Sequence, residues 1–150
     1  MPVSDHQNGP APARLNNRPS WLISRAYARA SRLLSERFEA EGAGLRGYHF
    51  RLLAALDEWG PASQAELGRS TGIDRSDVTA ALSELESQTL IERAVDPDNK
   101  RRNIVGITRA GTKRLAVLDQ VVTAVQDQLL ASLSQAQRKQ FVTLLHRILD

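Results

Sequence analysis

Ser76, Thr79, Ala80 and Ser83 recur at helical spacing with Arg75 and Asp77 beside them, and Asn99-Lys100-Arg101-Arg102 follows further along the chain. Hydroxyls and a guanidinium on one helix face can meet base edges, and small side chains let such a helix lie deep in a major groove. A basic cluster at an exposed turn suits the strong negative potential of a narrow minor groove. The chemistry these residues offer is reading a duplex, with no bond made or broken.

Other chemistries find little footing. The chain has no cysteine, which excludes disulfides, thiolate metal sites and cysteine nucleophiles. The three histidines, His6, His49 and His146, lack ligand spacing, so no metal site is expected. No Ser/His/Asp set or phosphate-cradling glycine loop stands out, so we expect no catalytic residues, no cofactor and no enzyme. The net charge of +3 is a weak hint: Gly60 to Lys113 holds eight basic and eight acidic residues. Affinity for nucleic acid must therefore come from where charges sit, not from their total. Apolar runs are only a few residues long and no signal peptide precedes Trp21, which predicts a cytoplasmic protein without a membrane partner.

The elements that position these residues follow from periodicity. Residues 1–19 carry four of the six prolines and no apolar period, and are expected to be a disordered arm. Leu22, Ala26, Ala30, Leu33, Leu34 and Phe38 then recur every three or four residues, predicting a helix capped by Ser20 and ended by Gly42 and Gly44. A second helix is expected from Arg46 to Trp59. Ser63-Gln64-Ala65-Glu66 is a capping box opening a short helix that stops at Gly72. Asp74 is placed to cap the next helix, running to about Gln88, with Val78, Ala81, Leu82 and Leu85 inward. Leu90–Val95 and Asn103–Ile107 suit two strands joined by a turn over Asp96–Arg102, steadied by Asp96 and Asp98. Thr108 caps a helix to about Ala131, and Ser134-Gln135-Ala136-Gln137 opens the last one.

The sequence Gly72-Ile73-Asp74-Arg75-Ser76-Asp77-Val78-Thr79, followed by Leu85-Glu86, Leu90-Ile91-Glu92-Arg93, Asp96-Pro97-Asp98-Asn99-Lys100-Arg101 and Ile107-Thr108-Arg109-Ala110-Gly111, resembles the MarR family of transcriptional regulators. The resemblance extends over about Ser20 to Asp150. It implies a mainly α fold with a small β-hairpin wing: a winged helix-turn-helix lobe over 46–108, flanked by dimerisation helices over 20–45 and 109–150. It also implies a homodimer on a pseudo-palindromic double-stranded DNA operator, usually as a repressor, and often released by a small aromatic or phenolic effector. Half-sites are then expected roughly one helical turn, about 10 base pairs, apart. The wing arginine corresponds to Arg101, and the reading-helix contacts to Arg75, Ser76, Asp77 and Thr79. Two positions depart from the family pattern. Asn99 stands where a wing aspartate is usual, replacing a steadying salt bridge with a neutral hydrogen bond, and Ala80 stands where a basic residue is frequent.

The expected DNA-facing set is Ser63, Gln64, Arg75, Ser76, Asp77, Thr79, Ser83, Asn99, Lys100, Arg101 and Arg102. Candidates for an effector site are Trp21, Tyr27, Tyr48, His49 and Arg93, although aromatics at helical spacing are more often core. Apolar residues on the flanking helices, Val121, Leu130, Leu133, Leu145 and Leu149, exceed what a thin wing domain covers, which favours a symmetric partner. The rival architecture is a winged-helix adaptor that binds protein and has no DNA affinity.

Overall fold

The computed structural model describes residues 11–150. Its elements are α1 (Ala13–Asn16), α2 (Pro19–Glu41), α3 (Gly47–Trp59), β1 (Ala62–Ser63), α4 (Gln64–Thr71), α5 (Arg75–Ser87), β2 (Ile91–Val95), β3 (Asn103–Ile107), α6 (Arg109–Leu129) and α7 (Gln135–Leu149). The expected disordered arm lies in part outside the described residues. Its remainder contains the single helical turn α1, followed by the start of α2. Pro19, not a capping Ser20, opens α2: proline's fixed φ suits the first helical position, and its missing N–H would have had no partner there.

The helix-turn-helix lobe is built around α3, α4 and α5. Leu52, Leu53 and Leu56 of α3 pack with Leu67 of α4 and with Val78, Ala81, Leu82 and Leu85 of α5, all buried. Each leucine removed from water there contributes about 1.5–3 kcal/mol. Gly72 closes α4 in the left-handed region at φ 67°, a conformation that a glycine adopts without a Cβ penalty. The chain then turns into α5.

Three strands form an antiparallel sheet in the order β1-β3-β2. Ile91 pairs with Ile107 and Val95 with Asn103, as the hairpin expectation required. The two-residue strand β1 was not foreseen. Ala62 pairs with Val105 and Ser63 with Ile104, which ties the entrance of α4 to the wing. So short a segment carries no alternation by which to recognise it.

The long helix α6 lies against α2 and α3. Val121, expected to be surplus surface, is instead inside with Leu118 and Val125. Leu149 of the same set is 82% exposed, and Tyr27 at 73% and Ile148 at 66% are outward as well. Among the described residues no helix is long and apolar enough to cross a membrane.

Candidate nucleic-acid interface

Helix α5 separates its faces cleanly. Val78, Ala81, Leu82 and Leu85 are buried, whereas Arg75, Ser76, Asp77, Thr79, Ala80 and Ser83 are exposed. Two of the exposed hydroxyls are already engaged. Thr79 Oγ1 accepts from Gln64 Nε2 at 2.6 Å and donates to the Arg75 carbonyl at 3.0 Å. Ser83 Oγ donates to the Thr79 carbonyl at 3.1 Å and accepts from Arg93 Nη2 at 3.2 Å. The side chains of Arg75, Ser76 and Asp77 have no hydrogen bond among the described residues, so the open polar chemistry gathers at the helix N-terminus, where backbone N–H groups favour an anion. Asp74 occupies the N-cap position, but its carboxylate makes no capping bond.

Ser63 has a structural task. It is 4% exposed, its Oγ donates to Glu66 Oε2 at 2.8 Å, and it accepts from the Glu66 N–H at 3.3 Å. The capping box thus engages the hydroxyl of this member of the expected DNA-facing set. The Ser63 backbone N–H, donating to Glu66 Oε2 at 2.7 Å, and then the Ser63 hydroxyl hold the Glu66 carboxyl below its usual range.

The wing turn is organised by Asp96. Its carboxylate accepts from the Asp98 N–H at 2.9 Å and from Arg102 Nε at 2.5 Å. The Arg102 bond, more than any other contact, lowers the Asp96 pKa and raises that of Arg102. An ion pair thus steadies the wing although Asn99 carries no charge. Asp96 thus accepts the backbone and arginine hydrogen bonds expected of it in this turn. Asn99 Oδ1 accepts from the Arg101 N–H at 3.1 Å, shaping the tip. Asp98 contributes its backbone, not its side chain. Arg102 is consequently bound within the wing, whereas Lys100 and Arg101 have no ion-pair partner among the described residues.

A concavity of about 740 Å³ lies between α4, the start of α5 and the wing. Its lining brings together Ser63, Gln64, Arg75, Arg101 and Arg102 from the expected set, and adds Arg69 and Asn103. Arg69 was missed: it is an exposed residue of α4, and nothing in a one-dimensional pattern says that this face of α4 looks toward the wing.

The five effector candidates do not converge. Trp21 has the Arg25 guanidinium 5.8 Å from its ring centroid, and Tyr27 is open to solvent. Arg93 of β2 donates to Glu86 Oε2 of α5 at 2.6 Å. His49 is fully buried, with Nδ1 accepting from the Arg46 N–H at 2.8 Å and Nε2 2.6 Å from Glu84 Oε2. Both ring nitrogens are thus engaged within the chain. Only Tyr48 lines a groove, of about 700 Å³, with Leu34, Phe38, Leu45, Arg46 and Arg51.

Burial pushes the His49 pKa below its ordinary 6.5, outweighing the opposing pull of Glu84 and adding to repulsion by Arg46. The unfolded chain takes up a proton near 6.5 that the folded chain resists. This contribution to stability is complete above 6.5 and is lost as pH falls through the lowered folded value. We expect the urea midpoint to drop between about pH 7.5 and about pH 5.5 by more in the wild type than in His49→Gln, which lacks the titrating ring. Equal drops would contradict the assignment.

A helix-turn-helix with a basic-tipped hairpin beside its second helix defines the winged helix-turn-helix class. Comparison with known proteins narrows this. The family model described as MarR family matches residues 43–102. The HTH-type transcriptional repressor NicR of Pseudomonas putida is 27% identical over 148 residues, 94% of this chain and 92% of NicR. The structure of a probable transcriptional regulator from Pseudomonas aeruginosa superposes with a TM-score of 0.78 at 30% identity, covering 90% of this chain and 99% of that one. That of BpsR from Bordetella bronchiseptica, whose DNA binding is regulated by 6-hydroxynicotinic acid, gives 0.77 at 24% identity, covering 87% and 98%. The chain belongs to the MarR family and is a DNA-binding transcriptional regulator, not an enzyme.

Proposed function

We propose that the chain is a homodimeric repressor that grips a pseudo-palindromic operator and lets go when a small aromatic acid binds. The observation that carries the DNA mode is the shared concavity that sets Arg75 at the start of α5 beside Arg101 at the wing tip. The start of α5 enters the major groove, presenting Arg75, Ser76 and Asp77, and Lys100 and Arg101 reach the adjacent minor groove. Gln64, Thr79, Ser83, Asn99 and Arg102 hold these groups in place, and Arg69 adds a phosphate contact.

The lobe spans 46–108. The dimerisation region spans 20–45 and 109–150, where Tyr27 of α2 and Ile148 and Leu149 of α7 stay open to solvent in a single chain. The repressor reading is supported by similarity to NicR, and the effector reading by the likeness to BpsR. The groove that suits an effector offers Arg46 and Arg51 to a carboxylate and Phe38 and Tyr48 to a ring. We expect a panel of hydroxylated aromatic acids to contain members that raise the unfolding temperature and displace bound operator. Sedimentation should show two chains per molecule. A monomer that binds no duplex, or a dimer indifferent to every aromatic acid, would count against the respective part of the proposal.

A further inference from the structure

Helix α5 packs against α3, α4 and β2 through buried apolar side chains, a non-directional attachment that fixes its rotation only loosely. Directional ties come from three places. Gln64 of α4 bonds Thr79, and Arg93 of β2 bonds Ser83 and Glu86. Both lie at the surface. The third is His49 of α3, whose ring is wholly inside and whose Nε2 lies 2.6 Å from Glu84 Oε2 of α5.

The bonding of the ring fixes its form. The Arg46 N–H donates to Nδ1, so that nitrogen carries the lone pair and the proton resides on Nε2. Nε2–H then donates to the Glu84 carboxylate, a charge-assisted bond. A protonated ring would set an N–H on Nδ1 against the Arg46 N–H, so only the neutral form satisfies both partners. The charged and titratable groups around the ring are Glu84 from α5 and Arg46 from the entrance of α3, with the Tyr48 ring 4.6 Å away, centroid to centroid. Arg46, Gly47 and Tyr48 also line the groove between α2 and α3.

We infer that His49 is a positioning residue for DNA recognition: it ties the first turn of α3 to the reading helix through Glu84, so that this turn sets how α5 is presented to the duplex. The inference rests on α5 being the reading helix. Displacement of the Arg46–Tyr48 turn, by an occupant of the groove or otherwise, would move the imidazole and with it Glu84.

The test compares Glu84→Gln with Glu84→Ala in the full chain, on operator fragments selected from genomic DNA with the wild-type protein. Glu84 is a half-exposed side chain on a helix, where both substitutions fold. Both remove one negative charge, but only glutamine can still accept from Nε2–H. We expect Glu84→Gln to bind within about twofold of wild type and Glu84→Ala to bind about tenfold more weakly, in line with losing one charge-assisted bond. The imidazole ¹⁵N shifts of wild type should report the Nε2–H tautomer, retained in Glu84→Gln. Equal binding by the two variants, or an Nδ1–H tautomer in the wild type, would overturn the role of His49. If the wild type selected no DNA at all, the reading-helix assignment itself would fall, a different outcome from equal binding.

Discussion

Arg101→Ala lowers affinity for operator duplex by about ten- to a hundredfold, the effect of deleting one well-placed arginine contact of about 1–3 kcal/mol. The expectation follows from the division of labour inside the wing. Arg102 is drawn back onto Asp96, while Arg101 projects from a tip shaped by its own backbone bond to Asn99. Removing the Arg101 side chain leaves both of those bonds intact. The unfolding transition should stay where it is in the wild type, and the number of chains per molecule should not change. Arg102→Ala differs in kind. It releases Asp96 and loosens the turn, so any loss of binding would be accompanied by altered backbone resonances across Asp96–Arg102. If Arg101→Ala bound operator as tightly as wild type at the same salt, minor-groove insertion by this wing would be wrong.

Gly111→Ala is expected to be the most damaging small substitution for stability. Gly111 lies in the first turn of α6, where its N–H meets Thr108 Oγ1 at 3.0 Å. A Cβ there would sit 2.1 Å from the Leu90 carbonyl oxygen and 2.7 Å from Ile107 Cγ1. The Leu90 carbonyl cannot retreat cheaply, because it also accepts from the Thr108 N–H at 3.1 Å at the base of the hairpin. Overpacking of this sort costs about 1–3 kcal/mol, and here backbone opposes backbone, so about 3 kcal/mol is expected. For a chain of this size that is a fall in unfolding temperature of roughly 6–12 °C. Alanine would raise intrinsic helix propensity at the same position, so an unchanged or higher unfolding temperature would show that α6 and the wing base are not packed as described.

What was legible in the sequence was whatever repeats. The buried side of α5 could be read from Val78, Ala81, Leu82 and Leu85 because those four residues obey one period. The capping boxes at Ser63 and Ser134 were legible because reciprocal side-chain bonds need fixed residue types three apart. The hairpin register followed from two apolar runs around one polar turn. Pairings across the fold were not legible. Asp96 could be assigned to the turn, but its bond to Arg102 depends on the turn's curvature. His49 looked like a ligand-binding candidate beside Tyr48, yet its partner Glu84 lies thirty-five residues away on another helix. Arg69 and Arg75 share a concavity only because Gly72 turns the chain between their helices. In each case the information is three-dimensional, and local pattern contains none of it.

The central claim is that this chain reads duplex DNA through charges concentrated on one face of a nearly balanced lobe. Titration of the purified chain against duplex recovered with it from cells, at about 50 mM and about 200 mM salt, tests this most directly. Engagement of Arg69, Arg75, Lys100 and Arg101 by two chains, about eight cationic contacts, predicts an affinity loss on the order of ten-thousandfold between those salts, as phosphate contacts release counterions. Binding that held constant across the same range, or an absence of duplex binding with retained affinity for a protein partner, would contradict the account.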